Sequence, residues 1–362
     1  MKSATEDLTE LLSPLADDLK SARGILTERI FQAEDFSERL LIARNAAAQD
    51  ASELPGWLER ITEIPDKDDG SLAAEMAEHL ITHGGKMFRS ALVLAVIRAC
   101  GGGAQDAAKL AAAMEMIHMA TLLHDDVIDR SDTRRGAASM PARFDNSPTV
   151  LMGDHLFARA FELLSECGRV EIVASAARAT SKMCLGEVEQ LEWIGRADIP
   201  EEVYFRLIER KTAALMASCC ETAAFLCEND SHVEEWNKFG CLLGLIFQMV
   251  DDLLDFTADE QRLGKAVGSD AEAGKYTLPL ILYRDRLGSR EAFAEFLAGC
   301  ASQEDIRAAL EGECVFKDVR SRIEDLVENC QGYLNRLADS QIDPAGCHLL
   351  SGMVDFVALR DY

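Results

Sequence analysis

The chain has 362 residues and carries 63 Asp and Glu against 37 Lys and Arg, a formal charge of −26 at neutral pH. That surplus of acid excludes the basic surface a nucleic-acid binder needs, and 48% apolar residues is the fraction expected of a packed globular chain rather than a disordered one. The longest uncharged stretch, Phe239–Val250, is well short of the roughly 20 residues that span a bilayer, so no transmembrane helix is expected.

The amino terminus, MKSATEDLTE, mixes acids into its first ten residues and lacks the basic-then-apolar layout of a secretion signal, which points to the cytoplasm. Leu8, Leu11, Leu12, Leu15 and Leu19 recur at helical spacing, and the lead segment closes in the turn-rich Pro65–Gly70. Residues 1–70 therefore read as a helical extension and 71–362 as the main domain. No proline falls between Pro65 and Pro141 or between Pro200 and Pro279, and these gaps are rich in Ala, Leu, Glu, Met and Arg. The expected fold is all-α, with helices over about 7–20, 24–49, 71–82, 87–99, 105–129, 147–166, 169–194, 201–228, 232–258, 275–287, 291–298, 303–311, 315–338 and 343–359. The eleven cysteines contain no CxxC pair and lie mainly in apolar helical stretches, as small buried hydrophobes of a reducing compartment do.

Two acidic motifs stand out. Leu122–Gly136 (LLHDDVIDRSDTRRG) holds Asp125, Asp126 and Asp129, and Phe247–Ile281 opens with FQMVDDLLDF and holds Asp251, Asp252 and Asp255. In each D-D-x-x-D the first and last Asp are i and i+4, neighbours on one helix face, where like charges destabilise an isolated helix. Each ridge follows an apolar run, so a compensating cation is expected. Carboxylate oxygens without His or Cys ligands suit Mg²⁺, which completes its shell with water and phosphate oxygens. Cations gather beside both ridges: Arg134 and Arg135 after the first, Lys265 and Lys275 after the second, with Lys211–Thr212 opening an apolar stretch. Lys86 and Arg89 follow Gly84–Gly85, a pair that lets backbone N–H groups approach an anion. Two diphosphate sites are implied, one metal-bridged and one mainly bound by Arg and Lys.

In this order the pieces GGKxxR, IHMATLLHDDVIDRSDTRRG, GDHLFARAF, GEVEQL, KTA and FQMVDDLLDF…GKAVGSD…GKYTLPLI resemble the trans-polyprenyl diphosphate synthases over roughly three quarters of the chain. The resemblance implies a single helical domain around a deep central cavity, usually a homodimer. It implies Mg²⁺, about two to three ions per site, on Asp125, Asp129 and Asp251, helped by Asp126 and Asp255. It gives Arg134, Lys211, Thr212, Gln248, Lys265 and Lys275 to the allylic diphosphate, and Lys86, Arg89, His118 and Arg135 to isopentenyl diphosphate. The implied reaction is ionisation of the allylic diphosphate, attack by the isopentenyl double bond, and proton loss to the released diphosphate. His118 has a second reading as a core histidine, His124 receives no role, and Glu187 and Gln190 either back up the metal site or pack a helix.

Met87 and Ser90 depart from the family's GGKRxRP, a change expected to remove one positive charge and loosen the turn. Family members making short products carry an aromatic just before the first motif. Here Ala120 and Thr121, with Met116, Ile117 and Ala113 deeper, offer no plug, which predicts a long product of about eight isoprene units, of the kind used for quinone side chains. Two alternatives remain open: a class I terpene cyclase, and a non-catalytic partner subunit of a heteromeric synthase.

Overall fold

The computed structural model describes residues 4–31, 72–83, 85–102, 106–134, 136–258, 268–300, 302–338 and 342–360. Helices α1 (Ala4–Leu11) and α2 (Ala16–Phe31) are separated by a 3₁₀ turn at Ser13–Leu15. Pro14 causes the break, since it cannot donate the backbone hydrogen bond that a continuous helix needs. Next come α3 (Leu72–Thr82), α4 (Phe88–Ala99) and α5 (Ala107–Ile128). A two-stranded hairpin (Thr133–Arg134 with Ala137–Ala138) leads to α6 (Met140–Phe144), α7 (Asn146–Glu166), α8 (Val170–Trp193) and α9 (Glu201–Ile208). A π turn, Glu209–Ala213, joins α9 to α10 (Ala214–Leu226), which is followed by α11 (Val233–Thr257). The carboxyl-terminal part comprises α12 (Ser269–Glu272), α13 (Leu278–Leu287), α14 (Arg290–Gly299), α15 (Gln303–Gly312), α16 (Val315–Ala338) and α17 (Pro344–Leu359).

The all-α expectation holds. The helices expected over 87–99, 147–166, 232–258 and 315–338 agree with α4, α7, α11 and α16 to within a residue or two. The expected 201–228 helix is interrupted by the π turn, and the hairpin and α6 were not anticipated. The break expected between helices 7–20 and 24–49 falls instead at Ser13–Leu15, with α2 unbroken through 21–23; residues 32–49 and the turn at 65–70 lie outside the described residues.

Two helices organise the interior. α5 packs against α2, α4, α7 and α10, while α11 packs against α10, α16 and α17. Both are apolar nearly all round in their middles, as a helix enclosed by others must be. The described part of the lead segment, residues 4–31, packs on the rest of the chain. Leu8, Leu12, Leu15, Ala22, Leu26 and Ile30 are buried in the same core as Leu110, Met114, Phe239 and Val357, and an Arg29–Glu166 ion pair at 2.8 Å ties α2 to α7. Among the described residues no helix is long and apolar enough to cross a membrane.

Candidate active site

Both acidic motifs occupy the carboxyl-terminal ends of the two central helices, where enclosed apolar surface gives way to a polar cleft. Asp125 and Asp126 lie in the last turn of α5, and Asp129 caps its end. Asp251, Asp252 and Asp255 lie in the last two turns of α11. Close packing fixes α11 against the π turn: a Cβ on Gly244 would sit 2.4 Å from the Ala213 Cα, so only glycine fits there. One extra residue in that turn aims Lys211 and Thr212 into the cleft from a wall that otherwise packs as ordinary helix.

The individual acids are held differently. Asp126 is buried, and the Arg134 guanidinium grips it through Nε at 2.8 and 2.9 Å and through a second nitrogen at 2.7 Å. Asp129 accepts both of its hydrogen bonds from Lys275 Nζ at 2.9 Å, so a residue that follows the second motif in sequence reaches the first in space. Burial opposes the Lys275 charge, but the pair with Asp129 and the proximity of Asp270 and Glu187 leave its pKa raised. For Asp125, burial pushes the carboxyl up to about 6; Lys211 pulls it down while Glu187 and Asp129 add to the rise. Lys211 itself is ion-paired with Glu187 and donates to Gln190 Oε1 at 2.9 Å. Glu187 and Gln190 are thus the residues that aim Lys211.

In the second motif Asp252 is enclosed. Tyr204 Oη donates to it at 2.7 Å and Gln248 Nε2 at 2.8 Å, while Gln248 Oε1 accepts from Thr212 Oγ1 at 2.7 Å. Burial and the neighbouring Asp270 push the Asp252 carboxyl well above the usual carboxylate range, against the pull of these two bonds. Asp255 accepts the backbone N–H of Asp270 at 3.2 Å. Asp251 is exposed, with Arg360 at 3.4 Å. Phe247, one residue before Gln248, is flanked by Arg89 at 6.0 Å and Arg360 at 4.0 Å from its ring centre, which brings the first basic motif alongside the second acidic one.

A cleft opens beside the first motif, lined among others by His79, Gly85, Glu115, His118, Asp126 and Arg134. His118 lines this cleft and is partly exposed. Lys86, exposed, precedes α4 at the same end. His124 turns away, its Nε2 3.1 Å from the Val150 carbonyl. Arg135 and Lys265 lie outside the described residues.

Two expectations change. Ser90 is fully buried and bonded to α5 through its backbone N–H and its hydroxyl, so the turn it occupies is tied down rather than loosened. Ala120 and Met116 are sealed in the core, whereas Thr121 is partly exposed. At about 100° per residue, Thr121 stands one turn from Asp125 on the same face, and Ala120 points about 140° away. Three residues escaped the sequence reading: Tyr204, Glu115 and Arg360. None of the three stands in a spacing pattern that marks it in the sequence.

The donor set fits a hard divalent ion. It consists of carboxylates, one of them held up near 6 by burial. Among the described residues no three His, Cys, Asp or Glu side chains converge to hold an ion by themselves.

Residues 71–311 match the family model described as polyprenyl synthetase. The octaprenyl diphosphate synthase of Escherichia coli (strain K12) is 38% identical over 217 residues, 59% of this chain and 66% of that protein, so the chain spans just under two thirds of its length. The all-trans-nonaprenyl-diphosphate synthase (geranyl-diphosphate specific) of Rhodobacter capsulatus is 36% identical over 252 residues, 69% of this chain and 75% of that one. A crystal structure of polyprenyl synthase from Caulobacter crescentus CB15, complexed with calcium and isoprenyl diphosphate, superposes with a TM-score of 0.79 at 30% identity and covers 97% of each chain. With its two acidic motifs at helix ends and joined by the Lys275–Asp129 pair, the chain belongs to the polyprenyl synthetase family.

Proposed function

We propose that the protein is a Mg²⁺-dependent trans-prenyltransferase that adds isopentenyl diphosphate head-to-tail to an allylic diphosphate such as farnesyl diphosphate. The product would be a long all-trans polyprenyl diphosphate for quinone side chains. The observation that carries this reading is the Lys275–Asp129 contact: a cation that follows the second motif pairs with an acid of the first. Asp125, Asp129, Asp251 and Asp255 would hold two to three Mg²⁺ ions, which neutralise the leaving diphosphate and so favour ionisation of the allylic C–O bond. Asp126 keeps Arg134 extended toward that diphosphate. Lys211 and Lys275 add positive charge, and Asp252 locks Gln248 and Thr212 beside them. Lys265 completes this group. Lys86, Arg89, His118 and Arg135 hold isopentenyl diphosphate with its double bond toward the nascent cation. Its attack forms the new C–C bond, and the released diphosphate takes the proton.

Thr121, on the Asp125 face, sets how far the growing chain extends. The exposed Leu185, Val188 and Leu191, three residues apart along α8, form an apolar stripe that supports a homodimer. Free cysteines buried as small hydrophobes, Cys167, Cys219, Cys220 and Cys330, support a cytoplasmic location. Incubation with Mg²⁺, farnesyl and isopentenyl diphosphates, followed by chromatography of the dephosphorylated products, tests reaction and length together. A long polyprenol is expected. A terpene hydrocarbon released without isopentenyl diphosphate would favour a cyclase, and turnover only after another chain is added would favour a subunit role.

A further inference from the structure

Glu115 is an acid with no place in the reaction described above. It lines the cleft in which an anionic substrate is proposed to sit, yet its side chain is buried, at 4% exposure. A buried carboxylate repels a diphosphate and is costly to desolvate unless it is hydrogen-bonded. Its partner is Ser90, on a different helix: the Ser90 backbone N–H donates to Glu115 Oε2 at 3.1 Å, and Ser90 Oγ lies 3.3 Å from the same oxygen and 2.9 Å from the Ala111 carbonyl.

The backbone contact matters because α4 starts without a cap of its own. Met87 stands at its N-cap with a left-handed φ of 53° and makes no side-chain bond to the helix. Ser90 contributes one of the N–H groups that the first turn of any helix leaves unpaired. The Glu115 carboxylate, delivered from α5, takes that N–H and places its charge at the positive end of the α4 dipole. The turn so fixed carries Arg89 and directly follows Lys86, while Glu115 itself is three residues, about one helical turn, before His118.

We infer that Glu115 is a positioning residue which, by capping α4 through Ser90, sets the spacing between the Lys86–Arg89 turn and His118 for isopentenyl diphosphate. The inference rests on the proposed reading of this cleft and goes beyond it. Glu115 does not touch the substrate; it replaces the missing local cap with one supplied by the helix that bears the other half of the same subsite.

Steady-state kinetics and isothermal titration with isopentenyl diphosphate test it on E115Q, S90A and S90T, with thermal melts to verify folding. E115Q keeps an oxygen for the Ser90 N–H and removes the charge. Loss of a charge-assisted bond is expected to raise KM and Kd for isopentenyl diphosphate by about tenfold, with kcat and the allylic KM within about twofold. S90A, which retains the N–H, should show a smaller rise in the same direction, and S90T should restore both constants. Equal movement of both substrates' KM and kcat, or no movement in folded E115Q and S90A, overturns the inference while leaving the proposed function intact. Should E115Q fail to fold, S90A against S90T decides alone: a rise in S90A that S90T reverses supports the positioning role, and parity of the two sinks it. A wild-type protein that neither binds nor elongates with isopentenyl diphosphate overturns both.

Discussion

The two D-D-x-x-D motifs are alike as strings and unlike as structures. At the first, the middle acid Asp126 is clamped by the Arg134 guanidinium and the last acid Asp129 by Lys275. At the second, the middle acid Asp252 meets a phenol and an amide, and the last acid Asp255 meets a backbone N–H. One motif thus stations cations, and the other braces its own wall. Paired sequence motifs need not be paired in mechanism, because the neighbours that a helix end happens to face decide what each carboxylate does.

Substitutions can break this contrast. The largest effect should come from Asp125→Asn, which removes a proposed metal-bearing charge without changing shape; kcat is expected to fall on the order of 10³-fold in a product assay. Next, Asp252→Ala strands the buried Tyr204 hydroxyl and the Gln248 amide. It should cost about 2–4 kcal/mol in a denaturant titration. Asp126→Asn, by contrast, should lower kcat/KM about tenfold through a loosened Arg134 while the melting temperature moves little. If Asp126→Asn proves as destabilising as Asp252→Ala, the division of labour is wrong. Replacing Thr121 by Phe is expected to shorten the product, read by chromatography. Ala120→Phe, forced into a sealed position, should cost about 1–3 kcal/mol through overpacking instead.

The smallest effect is a pH dependence. The folded Asp125 carboxyl titrates at about 6 against an ordinary 3.8, so between those values the folded chain holds a proton that the unfolded chain has lost. Stability without a divalent ion should therefore fall as pH rises through that window. Mg²⁺ binding should release protons and weaken as pH drops below about 6. Calorimetry in two buffers of different ionisation enthalpy reads the release; none at pH 6 would show that Asp125 does not meet the ion.

Much of this was legible beforehand. Proline gaps and apolar periodicity located the long helices, and the acid ridges stood out because charge at i and i+4 after an apolar run needs a partner. The cations beside them were visible for the same reason. Their pairings were not: Lys275 with Asp129 and Lys211 with Glu187 join segments far apart in sequence, and no local pattern encodes such contacts. Tyr204 looked like any aromatic in an amphipathic helix, and its hydroxyl matters only because α11 brings Asp252 to it. Ser90 was read as a lost proline, whereas its value lies in the N–H that proline lacks. The burial of Ala120 beside a partly exposed Thr121 depends on which helices enclose α5, which residue counting along the chain does not encode.

The π turn at Glu209–Ala213 carries a consequence for the lineage of this sequence. A helix with one surplus residue holds two registers, and deleting any residue of the turn would rotate everything upstream by about 100° against everything downstream. Lys211 could no longer reach Gln190 while Thr212 still met Gln248. Substitutions can accumulate around this turn one at a time, but a change of length cannot, so descendants of this chain should keep the residue count of 209–213 along with Lys211 and Thr212, which face Gln190 and Gln248.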